Sequence, residues 1–109
     1  MKTRVKVTNI ESTNYLNKLI EEKIKDIERL LLGFSKVTAE VEVGLTSKHH
    51  QKGNIYRAEI QIKIPGKLFR SVSEKEDFRA ALTDAKDELQ SQIKKHKEKI
   101  LKERKKEKK

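Results

Sequence analysis

Two runs of alternating residues constrain this chain more than anything else in it. Val37, Ala39, Val41, Val43 and Leu45 alternate with Lys36, Thr38, Glu40, Glu42 and Gly44, and Tyr56, Ala58, Ile60, Ile62 and Ile64 alternate with Arg57, Glu59, Gln61 and Lys63. Side chains of a strand point to opposite faces in turn, so each run gathers its apolar residues on one face and its polar residues on the other. Wound as a helix, either run would scatter the same apolar residues around the circumference. Both are therefore read as strands of a sheet with one buried face. Pro65-Gly66 closes the second run with turn chemistry, and residues 67–73 return as a shorter strand in which Leu68, Phe69 and Val72 leave the facing ambiguous. Nothing from Ser47 to Gly53 anchors to a core, so residues 46–54 read as an exposed, mobile hairpin loop.

Residues 3–8 also alternate, Val5 and Val7 against Arg4 and Lys6, as a half-buried strand does. After them Leu16, Leu19, Ile20, Ile24, Ile27, Leu30 and Leu31 recur at helical spacing, the stripe of an amphipathic helix over residues 14–32. Ser12 or Thr13 is placed to accept from its first amides, and Gly33 to take the left-handed conformation that closes many helices. A second stripe, Phe78, Leu82, Ala85, Leu89 and Ile93, continues towards His96 and Ile100, with Ser73 and Glu76 spaced as a capping box ahead of it. From Lys102 onward no apolar stripe is left to dock, and fraying or disorder is expected there.

The order β-α-β-β-β-α predicts one α+β domain. A helix between the first two strands implies a parallel pair joined by a crossover, and the short connections after the second and third strands imply antiparallel neighbours. Two helices packed on one face of a four-stranded sheet would bury every stripe. With 109 residues, 34% of them hydrophobic, one thin core is the ceiling. Residues 1–99 are expected to form that domain and residues 100–109 a basic tail.

The absence of cysteine removes disulfides and thiolate metal sites. No stretch approaches the roughly 18 apolar residues of a membrane helix, and the N-terminus lacks an apolar signal region, so a soluble cytoplasmic protein with no membrane contact is expected. The charge is more telling. Residues 1–89 hold 17 Lys/Arg against 14 Asp/Glu, whereas residues 90–109 hold 10 against 3, so the final fifth carries +7 of the net +10. Such a field attracts polyanions, among them nucleic acid, an anionic surface or an acidic protein.

Catalysis needs convergent polar groups, and no Gly-rich phosphate loop, nucleophile elbow or metal-ligand spacing is visible. No enzyme activity, metal, cofactor or small-molecule substrate is expected. His49-His50 is the conspicuous imidazole pair, but adjacent residues of an extended loop point apart and no third ligand stands near. Lys48, His49 and Lys52 of that loop are candidate RNA contacts, beside the plainer reading of solvent exposure. On the second helix Arg79, Lys86, Lys94 and Lys97, with Gln90 among them, fall on one side, away from the apolar stripe. They make a cationic ridge that Lys95 and Lys99 extend, and Lys23 and Arg29 add charge from the first helix if the helices lie side by side. A solvated face whose lysines pair with Asp84, Asp87 and Glu88 fits the same residues. Aromatic residues are few and mostly in phase with the core, which disfavours a base-stacking sheet and leaves recognition of shape and phosphates.

The segments Gly53-Asn54-Ile55-Tyr56-Arg57-Ala58-Glu59-Ile60, Ile64-Pro65-Gly66-Lys67-Leu68-Phe69-Arg70, Asp77-Phe78-Arg79-Ala80-Ala81-Leu82 and Leu89-Gln90-Ser91-Gln92-Ile93-Lys94-Lys95-His96-Lys97 resemble, in this order, the ribosome hibernation promoting factors. The resemblance covers about residues 1–99 and is most specific at the Pro-Gly turn and along the second helix. It implies a domain similar to the double-stranded RNA-binding fold. That domain would sit on the small ribosomal subunit, against 16S-type rRNA in the channel of messenger and transfer RNA, and silence the 70S ribosome by occupancy. It also implies a protein that is monomeric off the ribosome. Family members contact ribosomal RNA through basic residues of both helices, and the matching positions are Lys23, Arg29, Lys94, Lys95 and Lys97. Arg79 stands where the family usually has tyrosine, Thr83 replaces an Asp or Asn, and Asp26, Glu88 and Ser91 occupy places often basic. Long members add a dimerising domain, and this chain looks like a short form. A free-standing double-stranded RNA binder, or an adaptor whose basic tail meets an acidic protein, is the alternative that charge alone leaves open.

Overall fold

The two long alternating runs pair with each other at the centre of the sheet. In the computed structural model, which describes residues 1–46 and 53–107, the last three by backbone alone, the chain runs β1 (Lys2–Thr8), α1 (Asn14–Leu30), β2 (Thr38–Leu45), β3 (Tyr56–Ile64), β4 (Lys67–Lys75) and α2 (Phe78–Glu107). The sheet order is β1-β2-β3-β4. β1 lies parallel to β2 because α1 carries the chain back to the starting end, and the other pairs are antiparallel. This is the expected α+β architecture.

The register sets the inward face. Val41 lies between Val5 and Ile60, and Val43 between Val7 and Ala58. Ala39, Val41 and Val43, then Ala58, Ile60, Ile62 and Ile64, are buried beneath Leu16, Leu19, Ile20 and Ile27 of α1 and Ala81, Leu82, Ala85, Leu89 and Ile93 of α2. Burying each large aliphatic side chain stabilises the fold by about 1.5–3 kcal/mol before entropy is counted. Val5, on the outer strand, stays 46% exposed because nothing flanks it on its free side.

Local chemistry fixes the helix ends. Thr13 Oγ1 accepts from the Leu16 amide at 3.1 Å, and Gly33 takes φ 97° in the turn after α1. The second cap differs from the sequence expectation. Ser73 and Glu76 form no capping box: β4 continues to Lys75, and Asp77 caps α2, its Oδ2 accepting from the Ala80 amide at 3.1 Å. Ser73 instead points inward and donates to Asp84 Oδ2 at 2.7 Å, while Ser71 donates to the Ala85 carbonyl at 2.7 Å. The inward set of β4 is thus Phe69, Ser71 and Ser73, with Leu68 and Val72 outside at 54% and 41% exposure. Small serines opposite Ala81 and Ala85 let α2 lie close to the sheet, and their hydroxyls are satisfied by the helix they admit.

At 30 residues, α2 is about 45 Å long and overruns strands of nine residues or fewer, which span about 30 Å. Among its described side chains, Ile93 is the last fully buried one. Helix nevertheless continues through Glu107, in a Lys-, Glu- and Arg-rich segment of good helix formers.

Candidate nucleic-acid interface

The apolar stripe of α2 fixes its rotation and so decides what stands on each side. One flank faces α1. There Gln90 Nε2 donates to the Asp26 carbonyl at 3.5 Å, and Lys86 Nζ lies 3.5 Å from Gln90 Oε1. Lys23 and Asp26 are half-buried from the α1 side. Further along this flank Lys97 Nζ stands 5.9 Å from the centre of the Phe34 ring, and Lys94 is exposed. The side-by-side helices therefore bring Lys86 and Lys97 to one seam on the α1 flank, with half-buried Lys23 one turn before Asp26 on α1.

The charges in that seam are not equally free. Lys86 is only 14% exposed and sits 2.7 Å from Asp87 Oδ1. Arg29 is 77% exposed but shares a 3.9 Å contact with Asp26. Lys23, Lys94 and Lys97 have no carboxylate within ion-pair distance among the described residues. Arg79 is exposed near the start of α2, about 27 Å along the helix from Lys97.

Lys95 and Lys99 do not extend this ridge. They project from the other flank of α2, where with Gln92 and His96 they face Gly66, Lys67 and Phe69 across a groove. The reason is helical phase: at about 100° per residue, Lys97 and Gln90 fall on the α1 side of Ile93, and Gln92, Lys95 and Lys99 on the β4 side. Lys67, which the sequence did not single out, joins them because the Pro65-Gly66 turn delivers it there, with φ 79° at Gly66. Its signal was a lysine directly after a tight turn. Lys48, His49 and Lys52 lie outside the described residues.

The open face of the sheet is electrically different. Arg4 and Lys6 stand over Glu40, Glu42 and Glu59. Glu59 Oε1 accepts from Nε and Nη2 of Arg70, each at 2.6 Å, and Arg57 reaches Glu59 at 3.5 Å and Glu74 at 3.9 Å. Burial raises the Glu59 pKa, but the Arg70 hydrogen bond and charge, aided by Arg57, outweigh it and hold the carboxyl below its ordinary value. The surplus of positive charge is densest on the C-terminal half of α2, where residues 90–107 hold eight Lys/Arg against three Asp/Glu. Among the described residues no group of three or more His, Cys, Asp or Glu is placed to hold a metal ion, and no helix is long and apolar enough to cross a membrane.

The model of the Sigma 54 modulation protein / S30EA ribosomal protein family matches residues 3–101. This chain belongs to that family. The solved N-terminal domain of Thermus thermophilus Protein Y is 31% identical, with a TM-score of 0.71 over 88% of this chain and 99% of that one. A ribosomal subunit interface protein from Coxiella burnetii shares the fold at 16% identity and a TM-score of 0.72, over 89% of this chain and 98% of that one. The ribosome hibernation promotion factor of Deinococcus radiodurans is 28% identical over 99 residues, which are 88% of this chain and 49% of that protein. The chain therefore spans about half the length of this curated relative.

Proposed function

We propose that this S30EA family member is a cytoplasmic ribosome hibernation factor. In this reading residues 1–99 bind the small ribosomal subunit in its decoding channel, hold rRNA phosphates, and silence translation by keeping messenger and transfer RNA out. The basic residues beyond them add attraction without being needed by the core. The observation that carries the reading is the set of unneutralised cations along the C-terminal half of α2, on a fold of this family. Lysine ammonium groups on a rigid helix bind phosphates by position and charge, not by base identity, so binding should fall steeply with salt and vary little with sequence. Nothing in this role requires bond chemistry, and the protein acts as a monomer that occludes.

Sedimentation with purified small subunits and 70S ribosomes tests it. At low salt the protein should co-migrate with both and should inhibit a cell-free translation reaction. Absence from those fractions, with translation undiminished, would sink the proposal. Equal affinity for a generic RNA duplex and for ribosomes would point instead to a general double-stranded RNA binder.

A further inference from the structure

The groove between the β3–β4 turn and α2 gathers lysines without an acidic neighbour. Its walls carry Lys67, Lys95 and Lys99, its floor Phe69 and His96, and no carboxylate lines it. The His96 ring meets Phe69 edge-on at 5.4 Å, and Lys67 Nζ lies 5.7 Å from the Phe69 ring centre. Gln92 is already committed, donating to the Arg70 carbonyl at 2.8 Å and accepting from the Arg70 amide at 3.2 Å. Like every described lysine except Lys86, Lys67, Lys95 and Lys99 pair with no carboxylate among the described residues, but these three line one groove. Converging like charges repel, and an anion between them removes that cost. The groove is open to solvent, with a volume of about 610 Å³.

We infer that this groove is a second phosphate-binding site, in which Lys67, Lys95 and Lys99 grip the backbone of an RNA strand on the flank of α2 opposite the α1 seam. The inference rests on the RNA-binding role proposed above and adds a track that the ridge of Lys94 and Lys97 does not reach. Three ammonium groups donate to phosphate oxygens, and the half-buried His96 imidazole offers a further N–H from the floor. Phe69 is only 1% exposed, so no aromatic face is free for a base to stack on, and with the Gln92 amide committed no side-chain amide is left to read one. Such a site holds phosphate and ignores the base, which suits a polymer more than a free nucleotide.

Chemical-shift mapping of the 15N-labelled protein at low salt tests the site directly, with a hexauridylate, inorganic phosphate and GTP as separate probes. The hexauridylate should shift the amides of Lys67, Phe69, His96 and Lys99. The exposed double variant Lys67→Glu/Lys99→Glu should lose those shifts and keep those around Phe34 and Lys97, with an unchanged melting temperature as the check on folding. The same variant should bind small subunits more weakly, with a salt slope lower by about one phosphate contact. No groove shifts with the hexauridylate, or an unchanged affinity and slope in the variant, overturns the inference. Shifts with phosphate or GTP alone would make it a free-phosphate pocket and overturn the RNA assignment. Groove shifts in a protein that fails to sediment with ribosomes would remove the hibernation role and leave the site standing. Ribosome binding untouched by the variant would do the reverse.

Discussion

The side-chain amide of Gln92 bonds both backbone groups of Arg70, donating to its carbonyl at 2.8 Å and accepting from its N–H at 3.2 Å. β4 is an edge strand, and at Arg70 the helix supplies what a further strand would have given. Gln92→Ala should cost about 1 kcal/mol in urea denaturation and speed hydrogen exchange at the Arg70 amide, while exchange at Ile60 and Ile62 inside the sheet stays slow. Equal exchange at Arg70 in both proteins would show that the pairing contributes nothing to the edge.

Such a pairing of a helix side chain with an edge strand leaves no periodic signal in the sequence. The two long strands, both helix stripes and the order of elements were legible, because Ala39, Val41 and Val43 and Ala58, Ile60, Ile62 and Ile64 keep a period of two, and Leu16, Leu19, Ile20 and Ile27 and Leu82, Ala85, Leu89 and Ile93 a helical one, each with one buried face. The strand at residues 67–73 was legible too, but its facing and its end were not, because the inward residues after Phe69 are Ser71 and Ser73, polar side chains that become core residues only when α2 supplies Ala85 and Asp84 as partners. Ser73 then looked like a helix cap, a role Asp77 takes. The candidate interface was legible as charge on α2 but not as two flanks. That division depends on which neighbour, α1 or β4, meets each side of the helix, and helical spacing alone does not say.

Gly44 has its own requirement. It pairs with Thr8 across the parallel β1–β2 ladder, and a Cβ there would collide with the Thr8 carbonyl oxygen, which belongs to backbone and cannot rotate away. Gly44→Ala should push β1 off β2 and lower stability by about 1–3 kcal/mol, the usual cost of overpacking. Urea midpoints measure it. Glycine at this place serves close approach and not turn geometry.

Glu59 makes stability depend on acid. Its carboxyl is held below the ordinary value of 4.5, since the charge and hydrogen bond of Arg70 outweigh burial. A depressed carboxylate pKa adds stability above the unfolded value, and that stability is lost as pH falls through the folded one. The stability difference between the parent and Glu59→Gln should therefore be full at neutral pH, begin to close near pH 4.5 and keep closing below it. A difference that stays constant through that range would mean that Glu59 holds no special proton affinity.

The cations of the α1 seam should separate by exposure. Lys97 is half-buried over Phe34 and Lys94 is exposed, and neither is paired with a carboxylate among the described residues, whereas Lys86 is 14% exposed and held 2.7 Å from Asp87. A phosphate approaching the seam can displace water from the first two but would have to compete with Asp87 for the third. Lys94→Glu/Lys97→Glu should thus weaken binding to small subunits at low salt by about tenfold or more and flatten the salt dependence by about two phosphate contacts, at nearly unchanged stability. Lys86→Met should do the opposite, shifting the melting temperature while changing ribosome affinity less than about twofold. Affinity measured at several salt concentrations, beside thermal melts of the same variants, separates the two effects. A Lys86→Met protein that melts normally and binds poorly would move the interface from the exposed ridge into the seam itself.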